Sequence, residues 1–140
     1  RFTHDEQITM MTLWGIFRSP LMMGGEMREN DEFTLSLLQN RELIDMLKSS
    51  SGARQFKREE TDGKGEIIWT SNGESCKYVA LFNTDDEEKE ISFDITDISI
   101  SGVKYNVWDM WKHQEYTVTD GKFSAAVNTH GARLFKITVK

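Results

Sequence analysis

From residue 54 onward, eight short runs of strand character follow one another, at 55–58, 66–70, 77–82, 90–95, 104–108, 115–119, 122–127 and 133–139. Runs of this length, divided by turn residues at regular spacing, predict an antiparallel sandwich or barrel. Asp62-Gly63, Asn72-Gly73 and Asp120-Gly121 read as hairpin turns, because Gly with an Asn or Asp neighbour tolerates the positive φ of primed turns. In the last run Leu134, Lys136 and Thr138 alternate with Phe135, Ile137 and Val139, which predicts one apolar face closing the core.

The first part of the chain has a different period. Met10, Leu13, Trp14 and Phe17 fall at i, i+3, i+4 and i+7, and Ile8, Met11 and Ile16 extend the apolar surface round the sides. Thr3 and Glu6 fit a capping box, so the helix is expected to begin near His4 and to stop before Pro20. Leu21-Met22-Met23 before Gly24-Gly25 then reads as a strand buried on both faces, of the kind found in parallel sheets. Helical patterns resume with Phe33, Leu37 and Leu38, capped by Asn30 or Asp31, and with Leu43, Ile44 and Leu47. A polar Ser-Ser-Ser-Gly stretch at 49–52 is the expected linker, giving domains at 1–48 and 53–140. A lone parallel strand leaves backbone groups unpaired on both edges, so the first part needs neighbours. A βα-repeat architecture completed by residues upstream of Arg1 would supply them.

The formal charge of −6 and the absence of a basic patch argue against nucleic acid, whose binding rests on Lys and Arg neutralising phosphates. No apolar run reaches the roughly 18 residues of a membrane span, so a soluble protein is expected. With 38% hydrophobic residues the chain can build a real core. The single Cys76 has no disulfide or zinc-site partner and is expected to be a small buried hydrophobe. The chain starts at Arg1 without a signal peptide and reads as a piece of a longer protein.

LWGIFRSPLMMGGEMR followed by TLSLLQNRELI resembles the segment that ends the catalytic barrel of glycoside hydrolase family 27, the α-galactosidase and α-N-acetylgalactosaminidase family. VALFN at 79–83, VWDMW at 107–111 and HGARLFKI at 130–137 resemble strands of that family's C-terminal β domain. The resemblance implies an α+β chain, in which the terminal helix-strand-helix part of a (β/α)₈ barrel is followed by an antiparallel Greek-key β-sandwich. It also implies a retaining glycosidase, with two carboxylates roughly 5–5.5 Å apart as nucleophile and acid/base. In the family both are aspartates on earlier barrel strands, so no catalytic residue is expected in this chain, and the chain alone is expected to be inactive. The implied partners are a carbohydrate bound by the whole enzyme and the missing N-terminal barrel, without which the 1–48 part is expected to associate with itself or another chain or to remain mobile. No cofactor is implied, and the implied location is secreted, periplasmic or lysosomal.

If 21–23 is the eighth barrel strand, its C-terminal end places Gly24, Gly25, Glu26 and Arg28 near the active-site rim. A plain glycine turn with two solvated charges competes with that reading. No metal site is expected: His4, His113 and His130 have no ligand spacing, and Asp85-Asp86-Glu87-Glu88 lacks the calcium-loop pattern and reads as a solvated hairpin tip. Trp108, Trp111 and Tyr116 are candidates for stacking on sugar faces. Trp108 and Trp111, three apart, would lie on opposite faces of a regular strand, which favours core or interface packing for one of them. A carbohydrate-binding module and a structural interaction domain are the alternatives to the enzyme-scaffold reading.

Overall fold

The computed structural model describes residues 8, 9, 12, 51–61, 64–73, 75–98, 100, 102, 104–119 and 121–139. The strand predicted at 21–23, the helices at 30–47 and the rim residues Gly24, Gly25, Glu26 and Arg28 lie outside them, as does most of the helix predicted before Pro20. Ile8, Thr9 and Thr12 of that helix are described and are helical.

All eight predicted runs are strands: β1 (Ser51–Thr61), β2 (Lys64–Gly73), β3 (Cys76–Asn83), β4 (Lys89–Asp94), β5 (Tyr105–Asp109), β6 (Gln114–Val118), β7 (Lys122–Val127) and β8 (Ala132–Val139). They form two antiparallel layers, a six-stranded sheet in the order β1-β2-β3-β8-β5-β6 and a two-stranded ribbon of β4 and β7. The ribbon shows the period of a half-buried strand most cleanly. In β7, Phe123, Ala125 and Val127 are buried while Lys122, Ser124 and Ala126 are exposed.

Between the layers lies the main core. Ile91, Phe93, Phe123, Ala125 and Val127 of the ribbon meet Ile68, Val79, Leu81, Val107, Phe135 and Ile137 of the sheet. Phe123 stands edge-on to its ribbon partner Phe93 at 5.9 Å and links the layers through an edge-on contact with Phe135 at 5.0 Å. On the edge strand β1, Gln55 pairs with Trp69 and Lys57 with Ile68, leaving Phe56 as the extra residue of a bulge. Phe56 packs partly against this core. Lys57, Arg58, Glu59 and Glu60 give the edge a run of charges, a pattern that discourages pairing with another chain.

Three turn expectations are corrected. Asn72 and Gly73 belong to β2, pairing with Lys77 and Cys76, and the hairpin turn lies after them, with Ser75 at φ 60°. Asp120-Gly121 does not join a hairpin, because β6 belongs to the sheet and β7 to the ribbon. The chain changes layer there, and Gly121, at φ 81°, accepts a 2.7 Å hydrogen bond from the Ile95 amide. The acidic stretch 85–88 is likewise a crossing from β3 to the ribbon and not a hairpin tip. Asn83 holds that crossing: its buried amide donates to the carbonyls of Glu87, Val127 and Asn128, and its oxygen accepts from the Asp85 amide. Ile95, read as the end of a strand, instead opens a 3₁₀ turn, Ile95–Ile98.

The apolar face of the last strand closes the core as expected, and the opposite face is buried as well at Ala132 and Leu134. β8 sits between β3 and β5, with Phe135 and Ile137 facing the ribbon and Leu134 facing the other way, all fully buried.

Candidate functional site

The outer face of the six-stranded sheet carries the unusual chemistry. An antiparallel sheet commonly leaves one face to water, yet Ile67, Tyr78, Ala80, Phe82, Met110, Ala132 and Leu134 form a second buried cluster there. Cys76 belongs to it and is buried, as expected. Ile8, Trp69, Trp108 and Trp111 pack against its margin. Ile8, Thr9 and Thr12 are thus seated on this face, and two polar contacts fix them. The Trp111 indole N–H donates to Thr12 Oγ1 at 2.8 Å, and Thr9 Oγ1 donates to the His130 carbonyl at 2.9 Å. Thr12 is fully buried, so the indole satisfies a hydroxyl that would otherwise cost desolvation.

Trp111 owes its position to an ion pair. Asp109, at the end of β5 and fully buried, accepts at Oδ2 from Arg133 Nε (3.0 Å) and Nη2 (2.7 Å). Its Oδ1 accepts from the amides of Trp111 (3.0 Å) and Lys112 (2.8 Å), and the His113 amide donates to the Asp109 carbonyl, closing the turn. His113, at φ 56°, leaves the turn with its ring tilted beside Trp108 at 6.0 Å. Arg133 also donates to the Ala126 carbonyl in the ribbon and lies 5.2 Å from the Phe135 ring centre. One carboxylate therefore sets the Trp111 turn while its partner cation ties the two layers. Sequence reading assigned neither residue a role. They lie 24 positions apart, and the only signal was a lone acidic residue inside an aromatic run at the end of a strand.

The three aromatic candidates do not share a face. Tyr116 is the cross-strand partner of Val107 and packs with the inter-layer core, its hydroxyl donating to Gln114. Trp108, the partner of Glu115 and Lys136, stands on the outer face, and Trp111 lies beyond the strand in the turn. The strand-face rule thus applies to Trp108 and Tyr116 but not to Trp111.

At the end of the sheet that holds Thr9, Asp86 accepts from Lys64 at 2.6 Å and lies 3.0 Å from His130 Nε2. The Lys64 hydrogen bond, followed by that of His130, holds the Asp86 carboxyl below its ordinary 3.8. A depressed folded-state value means that these contacts stabilise fully above that ordinary value and are lost as pH falls through the depressed one. A carboxyl-detected NMR titration is expected to place the Asp86 midpoint below 3.8. In Lys64→Met it should move upward, and an unmoved midpoint would break the assignment. Among the described residues no group of three or more His, Cys, Asp or Glu could hold a metal ion, and no helix is long and apolar enough to cross a membrane.

Residues 64–137 match the family model of the α-galactosidase C-terminal β-sandwich domain. The chain belongs to that family. Two curated relatives are α-galactosidase 2 of Arabidopsis thaliana, 25% identical over 97% of this chain and 34% of its own length, and the α-galactosidase of Coffea arabica, 28% identical over 97% and 36%. A family 27 β-L-arabinopyranosidase from Geobacillus stearothermophilus, solved in complex with arabinose, is 37% identical over 99% of this chain, with a TM-score of 0.85. This chain covers 31% of that structure, so it spans about a third of each of these three proteins. The family 27 resemblance of the VALFN, VWDMW and HGARLFKI strands is therefore a family membership. Within the sandwich domain, Asn83, Asp109 and Arg133 sit in those three segments and hold a layer crossing, a turn and the two layers together.

Proposed function

We propose that this chain is the C-terminal part of a retaining glycoside hydrolase that cleaves terminal α-linked galactose or a sugar of the same ring configuration. β-L-Arabinopyranose qualifies, because its ring is that of α-D-galactopyranose without the C6 hydroxymethyl group. Residues 1–48 are the end of a (β/α)₈ barrel, with Gly24, Gly25, Glu26 and Arg28 at its rim, and residues 53–140 are the sandwich that supports it. The second apolar face of the six-stranded sheet carries this reading. The ribbon already completes a core on the inner face, and a freestanding sandwich has no need of Trp69, Tyr78, Phe82 and Leu134 on the other. Such a face serves as a mounting surface, and Ile8, Thr9 and Thr12 are seated on it.

The catalytic carboxylates then belong to the barrel, and the chain supplies support. The whole protein is expected to hydrolyse nitrophenyl α-D-galactopyranoside or nitrophenyl β-L-arabinopyranoside, and the first-formed sugar is expected to retain its anomeric configuration by proton NMR. The 140-residue chain alone is expected to turn over neither. Inversion by the whole protein, or turnover by the chain alone, would each overturn one half of the reading.

A further inference from the structure

The outer face continues along β8, β5 and β6 past the ground held by Ile8, Thr9 and Thr12, and there its chemistry changes. Lys136, Trp108 and Glu115 stand side by side across the three strands, as cross-strand partners in register. The next outward row is Thr138, Asn106 and Thr117. Partners in register project from the same face with Cβ atoms about 5 Å apart. These two rows form one patch with the indole at its middle.

The patch is concave. Asn106, Trp108, Glu115, Lys136 and Thr138 line a cavity of about 340 Å³, large enough for one or two sugar rings. Glu115 is exposed and the other four are half-buried. Lys136 and Glu115 flank the ring without pairing with each other. Asn106 Oδ1 is buried and accepts no hydrogen bond, an arrangement that native proteins rarely leave unanswered. It needs a donor.

We propose that this cavity is a carbohydrate-binding site that takes a pyranose with galactose-like configuration. A pyranose has one face rich in C–H bonds and a rim of hydroxyls, each able to donate and to accept. The cavity offers the complement: an indole for the C–H face, Lys136 and Thr138 as donors, and Glu115 as an acceptor. Its one cation and one anion cancel, which disfavours a charged ligand and leaves a neutral polyhydroxylated one. The axial 4-hydroxyl of galactose gathers the C3, C4 and C5 hydrogens on one side, which makes that face suited to stacking. The choice of galactosides as ligands rests on the proposed function above, whereas the site itself does not. Failure of whole-protein turnover would leave binding by this chain to be judged separately.

The test is a titration of the full chain with methyl α-D-galactopyranoside and methyl β-L-arabinopyranoside, with sorbitol as an open-chain control. It is followed by ¹H–¹⁵N NMR of the indole and amide signals. The expected result is saturable shifts at the Trp108 indole and the Asn106 side-chain amide with Kd on the order of 1 mM, and none with sorbitol. Glu115→Gln, at an exposed position, is expected to keep the spectrum of the folded protein and weaken binding about tenfold. Trp108→Ala is expected to abolish binding. Absence of shifts at roughly 10 mM ligand, equal shifts with sorbitol, or unchanged affinity in Glu115→Gln would each overturn the assignment.

Discussion

Asp109→Ala is expected to lower the unfolding free energy by about 3–5 kcal/mol, because it leaves the Arg133 guanidinium in a largely dry site without its counter-charge. Asp109 is fully buried and the Arg133 side chain is 12% exposed, so water cannot replace the lost carboxylate. The same substitution frees the Trp111 and Lys112 amides and loosens the turn that aims Trp111 at Thr12. Urea titration of Asp109→Ala, Arg133→Met and the double variant forms a cycle, and its coupling is expected to exceed about 1.5 kcal/mol. A coupling near zero would mean that the two groups act independently, contrary to the shared Oδ2 geometry. Loosening of the turn has a separate readout: the Thr12 hydroxyl and Trp111 indole protons should exchange faster in Asp109→Ala than in the unsubstituted protein.

The second large effect is expected at Phe135, two positions along β8. Phe135→Ala should cost about 3–5 kcal/mol, the range for deleting a buried ring whose cavity cannot fully collapse. The ring is fully buried, stands edge-on to Phe123 across the layers and lies beneath the Arg133 guanidinium. Its neighbours belong to strands fixed by hydrogen-bonded partners on both sides, which limits their movement into the gap. Denaturation midpoints at constant slope measure the loss. Val139→Ala on the same strand, 47% exposed, should change stability by less than about 0.5 kcal/mol. A loss under about 1.5 kcal/mol for Phe135→Ala would show that the ribbon settles onto the sheet, and would demote this ring as the link between layers.

Strand identity was legible because it is local. Two successive side chains on opposite faces, repeated over four or more residues and bounded by Gly, Asn or Asp, mark a strand without reference to any partner. All eight strands followed from that pattern, and LWGIFRSPLMMGGEMR, supported by the order of VALFN, VWDMW and HGARLFKI, carried the resemblance to the family. Partner choice is a different kind of fact. Lys122–Val127 pairs with Lys89–Asp94 and not with its neighbour Gln114–Val118, and Ala132–Val139 enters between β3 and β5. Turn dipeptides cannot report this, since Asp120-Gly121 has the same local preference for positive φ whether it closes a hairpin or carries the chain between layers.

The amino-acid sequence by itself determined where the strands lie, that the chain is acidic, and the family to which its sandwich belongs. Only the tertiary structure decided that the six-stranded sheet carries a second buried apolar cluster on its outer face, that Asp109 meets Arg133, and that Trp108 and Tyr116 face opposite ways. The physical reason is that alternation along a strand records which residues share a face. What covers that face is set by the competition of distant segments to bury it, and each of those contacts joins residues far apart in the chain.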